Sequence, residues 1–165
     1  MKHVLLIRHA KSSWSTPGLS DYERPLNDRG KNDAPKMANR LLKRNYPIDL
    51  FISSPAERAA KTTLTFAEAY QFDKTDILFV PSLYHASPDT YFEVIQSVDN
   101  KYDRIAIVSH NNGLTDFANM LTKVKIDNMP TCSVFAIKVD TDRWSEIKIA
   151  DKDFDFFDFP KSDKD

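Results

Sequence analysis

Val4-Leu5-Leu6-Ile7-Arg8-His9 carries four consecutive apolar residues that run straight into an arginine and a histidine. A short unbroken apolar run reads as a strand buried on both faces, the signature of a parallel sheet. Two further runs look the same, residues 50–52 and 105–108, and residues 77–80 form a weaker fourth. Each of the three strong runs ends on polar residues: Arg8-His9, Ser53-Ser54 and Ser109-His110.

Working outward, helical patterns separate the strands. From Asn27, a plausible cap, Met37, Ala38, Leu41 and Leu42 share one face, with Pro35 inside the pattern as an expected kink. Ser54-Pro55-Ala56-Glu57 combines a capping serine, a proline at the first helical position and a glutamate three residues after the serine. Ser87-Pro88 opens a third helix and Gly113 a fourth. Near the end, residues 134–139 and 144–149 are β-like and flank the turn Asp140-Thr141-Asp142-Arg143, so a hairpin is expected. The alternation predicts one α/β domain of three layers, a mostly parallel sheet flanked by helices with antiparallel edge strands near the C-terminus. Its expected span is 1–150. Residues 151–165 form an acidic, aromatic tail whose phenylalanines could dock on the body and whose last five residues are expected to be mobile.

The 165 residues suffice for one domain with a core. A net charge of −1 supplies no field for nucleic acid or an anionic membrane, so neither is an expected partner. The single cysteine, Cys132, excludes an internal disulfide. No apolar run approaches a signal or spanning length, and a cytoplasmic protein is expected.

In an open parallel sheet, ligands bind at the carboxyl ends of the strands. Arg8, His9 and His110 lie at such ends, and Arg58 sits just inside the following helix, leaning back toward its N-terminus. Taken singly, each has an ordinary reading as a surface arginine, a solvated helix residue or a structural histidine. Four cationic or imidazole groups delivered to one edge point instead to an anion site, reinforced by a helix N-terminus. His3 and His85 are read as structural or rim residues.

Longer motifs carry a resemblance. Leu6-Ile7-Arg8-His9-Ala10-Lys11-Ser12-Ser13-Trp14 resembles the opening motif of the histidine phosphatase (phosphoglycerate-mutase-like) superfamily, with Ala10 in place of the usual glycine. Arg24-Pro25-Leu26-Asn27-Asp28-Arg29-Gly30 is similar to its second block. Ser53-Ser54-Pro55-Ala56-Glu57-Arg58-Ala59-Ala60-Lys61-Thr62 is similar to its third. Val108-Ser109-His110-Asn111-Asn112-Gly113-Leu114 is similar to the fourth, with Asn112 where proline is common, and Pro130-Thr131 also fits. The resemblance implies that His9 becomes a phosphohistidine while Arg8, Arg58 and His110 bind the phosphoryl oxygens. It makes Ser15, Arg24 and Asn111 further candidate contacts, and implies no metal or cofactor, the arginines supplying the positive charge.

Between Arg58 and His110 no long insertion is left over to form a lid. The chain thus resembles the compact branch of bacterial protein phosphohistidine phosphatases, which makes a protein-borne phosphohistidine the expected substrate. Imidazole leaves with a conjugate-acid pKa of about 6.5, whereas an alkoxide is far more basic, comparable to hydroxide from water at about 15.7. A phosphoramidate therefore needs less help from an acid. Leu83-Tyr84-His85-Ala86 holds no carboxylate where larger relatives place one, although Asp21, Asp89 and Glu93 could approach in space. A small-molecule phosphomonoesterase on the same scaffold is the first alternative. A non-catalytic module binding phosphorylated partners is the second, disfavoured because a binder need not keep His9. Cys132 lacks the arginine of a cysteine phosphatase loop, Lys138 standing in its place. Asp151, Asp153 and Asp155 lack the glycine and glutamate of a calcium loop.

Overall fold

The computed structural model describes residues 1–162. Strand β1 (Lys2–Arg8) leads to helix α1 (Asp28–Lys43), β2 (Leu50–Ser53), α2 (Glu57–Ala69) and the two-residue β3 (Leu78–Phe79). Then follow α3 (Pro88–Gln96), β4 (Arg104–Ser109), α4 (Gly113–Leu121), β5 (Val134–Val139) and β6 (Lys152–Asp158). The sheet order is β3-β2-β4-β1-β5-β6. The first four neighbours run parallel, while β5 is antiparallel to β1 and β6 to β5. This is the expected α/β architecture.

Alternation along the buried strands builds two cores. Val4 and Leu6 of β1 join Ile105 and Ile107 of β4 beneath Phe92 and Ile95 of α3 and Phe117 and Leu121 of α4. Leu5, Ile7, Ala106 and Val108 face the other way, against Met37, Ala38 and Leu41 of α1 and Ala59 and Phe66 of α2. Side chains on a strand point alternately to opposite faces, so one apolar run feeds both layers.

Asn27 caps α1 through its side chain, which accepts from the Gly30 amide at 2.9 Å. The helix continues unbroken through Pro35. Pro35 is exposed, so the Lys31 carbonyl that it leaves unbonded faces the solvent side of the helix, where water can serve it. Gly30 has a specific reason to lack a side chain. A Cβ there would meet the Lys11 carbonyl oxygen at 2.1 Å, because α1 packs directly on the backbone of the loop after β1.

Two expectations need correction. The hairpin partner of β5 is not residues 144–149 but β6, Lys152–Asp158, which lies within the stretch read as a tail. Residues 144–146 form a 3-10 turn. There Trp144 and Ile147, three apart, are both fully buried, while Ile149 is exposed. A one-turn spacing thus overrides the alternation. In β6 a register shift falls between Ala136 and Ile137, where Phe156 and Phe154 are the successive partners. The extra residue, Asp155, lets Phe154 and Phe157 pack on one core and Phe156 on the other. Ser162 donates to the Asp158 carboxylate at 2.6 Å; residues 163–165 of the segment expected to be mobile lie outside the described residues. The second correction concerns Ser54, which does not cap α2. The helix begins at Glu57 after Ala56, with no side-chain cap, and the Ser54 hydroxyl is engaged elsewhere.

Candidate active site

The carboxyl ends of β1, β2, β3 and β4 lie side by side, and β1, β2 and β4 each end in polar residues. Backbone bonds extend the ladder past the strands: the His9 amide donates to Ser109 at 3.1 Å and the Ser54 amide to Val108 at 2.9 Å. A cavity of about 360 Å³ opens over this edge, lined among others by Arg8, His9, Arg58 and His110. The structure therefore brings together all four residues of the expected anion site.

His9 is buried, and its Nδ1 lies 2.7 Å from the Ala10 carbonyl. A carbonyl only accepts, so the proton sits on Nδ1 and the lone pair on Nε2. That lone pair receives the Arg58 Nε–H at 3.3 Å. Burial pushes the His9 pKa down to about 3; the Ala10 carbonyl opposes this, and the positive charges around the cavity add to it. The imidazole is neutral at pH 7, and its Nε2 lone pair can act as a nucleophile once the Arg58 Nε–H gives way to an incoming phosphoryl group. Ala10 itself is fully buried, with its amide on Thr62 Oγ1 at 3.0 Å, which explains why a small residue stands there.

His110 faces His9 with ring centroids 5.2 Å apart. Its Nε2 lies 2.7 Å from the Ser54 hydroxyl, whose oxygen also accepts from the Ala56 amide at 3.3 Å in the turn before α2. Burial, and next the Arg58 charge, push its pKa down to about 3, against the Asp21 carboxylate. An arriving phosphate dianion would raise it again.

Arg58, two residues into α2, is held from behind. Its Nη1 donates to the Asp21 main-chain oxygen at 2.6 Å and its Nη2 to Asp21 Oδ2 at 3.0 Å. Arg8 donates from Nη1 to the Met129 carbonyl at 2.8 Å. Arg24 is buried between Asp21 Oδ1 at 3.1 Å and Ser12 Oγ at 2.9 Å, with its guanidinium 3.4 Å from the Trp14 ring centre.

The further candidates divide. Arg24 and Asn111 line the cavity. Asn111 is oriented by its Oδ1, which accepts from Thr115 Oγ1 at 2.6 Å. Ser15 is not among the lining residues: it is exposed and bonds to Ser13 Oγ at 2.7 Å, just past Trp14, the last residue of this loop to line the cavity. Lys11, Ser12, Trp14, Tyr84 and Thr131 line the cavity without having been singled out as contacts, and His85 lies on its wall. Their signal was positional, since Lys11 to Trp14 follow His9 directly and Tyr84 follows β3. Asp21 is the one carboxylate lining the cavity among the described residues, whereas Asp89 and Glu93 do not reach it. The Tyr84 hydroxyl, donating at 2.6 Å, and then the guanidiniums hold its pKa down at about 2. Asp21 is therefore ionised at pH 7 and has no proton to give.

Chemically, this is a neutral imidazole facing a cavity ringed by three guanidiniums, a lysine and one fixed carboxylate. Such a set suits a tetrahedral oxyanion in contact with a nitrogen nucleophile.

The profile of the histidine phosphatase superfamily (branch 1) matches residues 4–82. An uncharacterised chloroplast protein of Arabidopsis thaliana is 31% identical over 153 residues, 88% of this chain and 70% of that one. The chain is similar to a solved structure designated phosphohistidine phosphatase SixA from Agrobacterium tumefaciens. The two are 25% identical, with a TM-score of 0.79 over 96% of this chain and 99% of that one. The protein histidine phosphatase SixA complexed with tungstate shares the fold, with a TM-score of 0.81 at 19% identity over 96% and 97% of the two chains. Among the described residues no helix is long and apolar enough to cross a membrane.

Proposed function

Because the chain belongs to the histidine phosphatase superfamily, in its compact branch, we propose that it is a phosphatase working through a phosphohistidine on His9. Its proposed substrate is phosphohistidine carried on protein. The Nε2 lone pair attacks phosphorus, an N–P bond forms, and the bond to the leaving imidazole breaks. That imidazole takes its proton from solvent. Water then attacks the phosphoryl group, the His9 N–P bond breaks, and inorganic phosphate leaves. Arg8, Arg58 and His110 bind the equatorial oxygens, and Arg24 and Asn111 lie at the rim. Phosphoryl transfer asks chiefly for positioning and charge stabilisation, which these groups provide without a metal.

The observation that carries the substrate class is that both carboxylate oxygens of Asp21 are taken up by donors, Oδ1 by Arg24 and Oδ2 by Arg58 and Tyr84. With the one carboxylate that lines the cavity among the described residues held as an acceptor, the site favours a leaving group that needs no strong acid, and imidazole is one. The relative of 25% identity, designated a phosphohistidine phosphatase, supports the same class.

The test is phosphate release in EDTA from a phosphohistidine peptide and from a panel of alkyl phosphate esters. Fast release from the peptide, dependent on His9, with slow ester hydrolysis, is the expected result. A preference for small esters would move the assignment to a small-molecule phosphomonoesterase. Phosphate bound but never released from any substrate would overturn the enzyme reading in favour of a binding module.

A further inference from the structure

We propose that Asp21 is a positioning residue that aims the Arg58 guanidinium at the nucleophile and, through its charge, weakens the hold on product phosphate. This rests on the phosphatase reading above. A guanidinium has five N–H donors: Nη1 of Arg58 gives one to the Asp21 main-chain oxygen and Nη2 gives one to the Asp21 carboxylate. The Nε–H is thereby turned toward His9 Nε2. Without that rear anchor the planar group can rotate about its own stem.

The anchor is itself fixed. Asp21 begins a 3-10 turn, Asp21–Glu23, closed by reciprocal bonds between Ser20 and Glu23. Its carboxylate also takes Arg24 Nε and the Tyr84 hydroxyl, so one side chain sets two guanidiniums and the tyrosine on the opposite wall. Electrostatics assigns the second part of the role. Arg8, Lys11, Arg24 and Arg58 all line the cavity, and Asp21 alone opposes them there among the described residues. A dianionic product in that field would leave slowly, and one nearby negative charge loosens it.

The two parts of the role make opposite demands, which separates this proposal from a merely structural one. Removing the charge in Asp21→Asn is expected to tighten inorganic phosphate binding about three- to tenfold, since one pKa unit or tenfold is about 1.4 kcal/mol. The same change is expected to lower kcat about three- to tenfold, because the Nη2 bond loses its charged acceptor while the Nη1 bond to the main chain remains. Asp21→Glu keeps the charge and displaces the carboxylate, so phosphate affinity should stay within about twofold while kcat falls. Asp21 is half-exposed, with its side chain at 45%, and a thermal melt checks that each variant folds.

The experiment is calorimetry of inorganic phosphate binding to the full chain and both variants, alongside kcat and KM on a phosphohistidine peptide. Tighter phosphate in Asp21→Asn with lower kcat, and unchanged affinity in Asp21→Glu with lower kcat, supports the proposal. Phosphate bound more weakly in both variants, or both constants unchanged, overturns it. If the unaltered chain hydrolyses nothing, the phosphatase reading fails by itself. The calorimetric arm still decides whether Asp21 opposes the bound anion.

Discussion

Arg58 Nε lies 3.3 Å from His9 Nε2, while the opposite nitrogen of that imidazole lies 2.7 Å from the Ala10 carbonyl. His9 is thus gripped at both ring nitrogens, with its proton fixed on the side away from the cavity. Nitrogen-15 NMR of the histidine rings in the free protein should find His9 neutral, with its proton on Nδ1, from pH 8 down to about pH 5. Its burial holds the pKa near 3. Protonation midway near the ordinary value of about 6.5, or the opposite tautomer, would contradict this.

Arg58 reaches three acceptors at once, two on Asp21 and one on His9. An ammonium is a point donor and cannot span them. Arg58→Lys should therefore behave almost as Arg58→Ala, each losing about 10²–10³ in kcat/KM, the range for removing a preorganised transition-state donor. Steady-state kinetics checks it. Recovery of most activity by lysine would show that charge alone suffices.

The buried histidines also govern acid stability. His9 and His110 have folded-state pKa values pushed down to about 3, below the unfolded value of about 6.5. Between those limits the unfolded chain binds protons that the folded chain refuses, so stability falls as pH falls from about 6.5 toward 3. The slope is at most about 1.4 kcal/mol per pH unit for each histidine. Denaturant melts from pH 7.5 to 4.5 should show this decline, and it should be shallower in His9→Gln. An equal decline in that variant would remove His9 from the account.

Gly30 ties the core to the site. A Cβ there would collide with the Lys11 carbonyl oxygen at 2.1 Å, and the same oxygen accepts from the Asn27 amide at 3.0 Å. Gly30→Ala should lose about 2–4 kcal/mol despite the better helix propensity of alanine, because backbone rather than a flexible side chain must shift. A urea midpoint comparison measures it; an unchanged or raised midpoint would mean that the loop yields freely.

Much of this was legible in the sequence for a physical reason. The runs at residues 4–7, 50–52 and 105–108 are buried on both faces, so they announce themselves without periodicity, and the polar residues after them mark the carboxyl edge of the sheet. Arg8, His9, Arg58 and His110 follow from that edge. What escaped depends on contacts between distant segments. Ser54 has the sequence of a helix cap, but its hydroxyl serves His110 and the Ala56 amide, and the helix begins later, at Glu57. Ser15 lies close in sequence to His9, yet it falls just past Trp14, the last residue of this loop to line the cavity. Asp21 was legible only as a carboxylate that could approach. Its depressed pKa and its role as an anchor come from Tyr84, Arg58 and Arg24, which converge on it in space. The strand β6 hid behind a bulge at Asp155 that breaks its alternation.

The most direct test of the central claim is to trap the covalent intermediate. The full chain is mixed with a phosphohistidine peptide labelled with ³²P, quenched in alkali within milliseconds, digested and sequenced by mass spectrometry. A phosphoryl group on His9 that forms and decays at the turnover rate, and is absent in His9→Ala, is the predicted result. Turnover with the label never on His9, or equal turnover by His9→Ala, would contradict it.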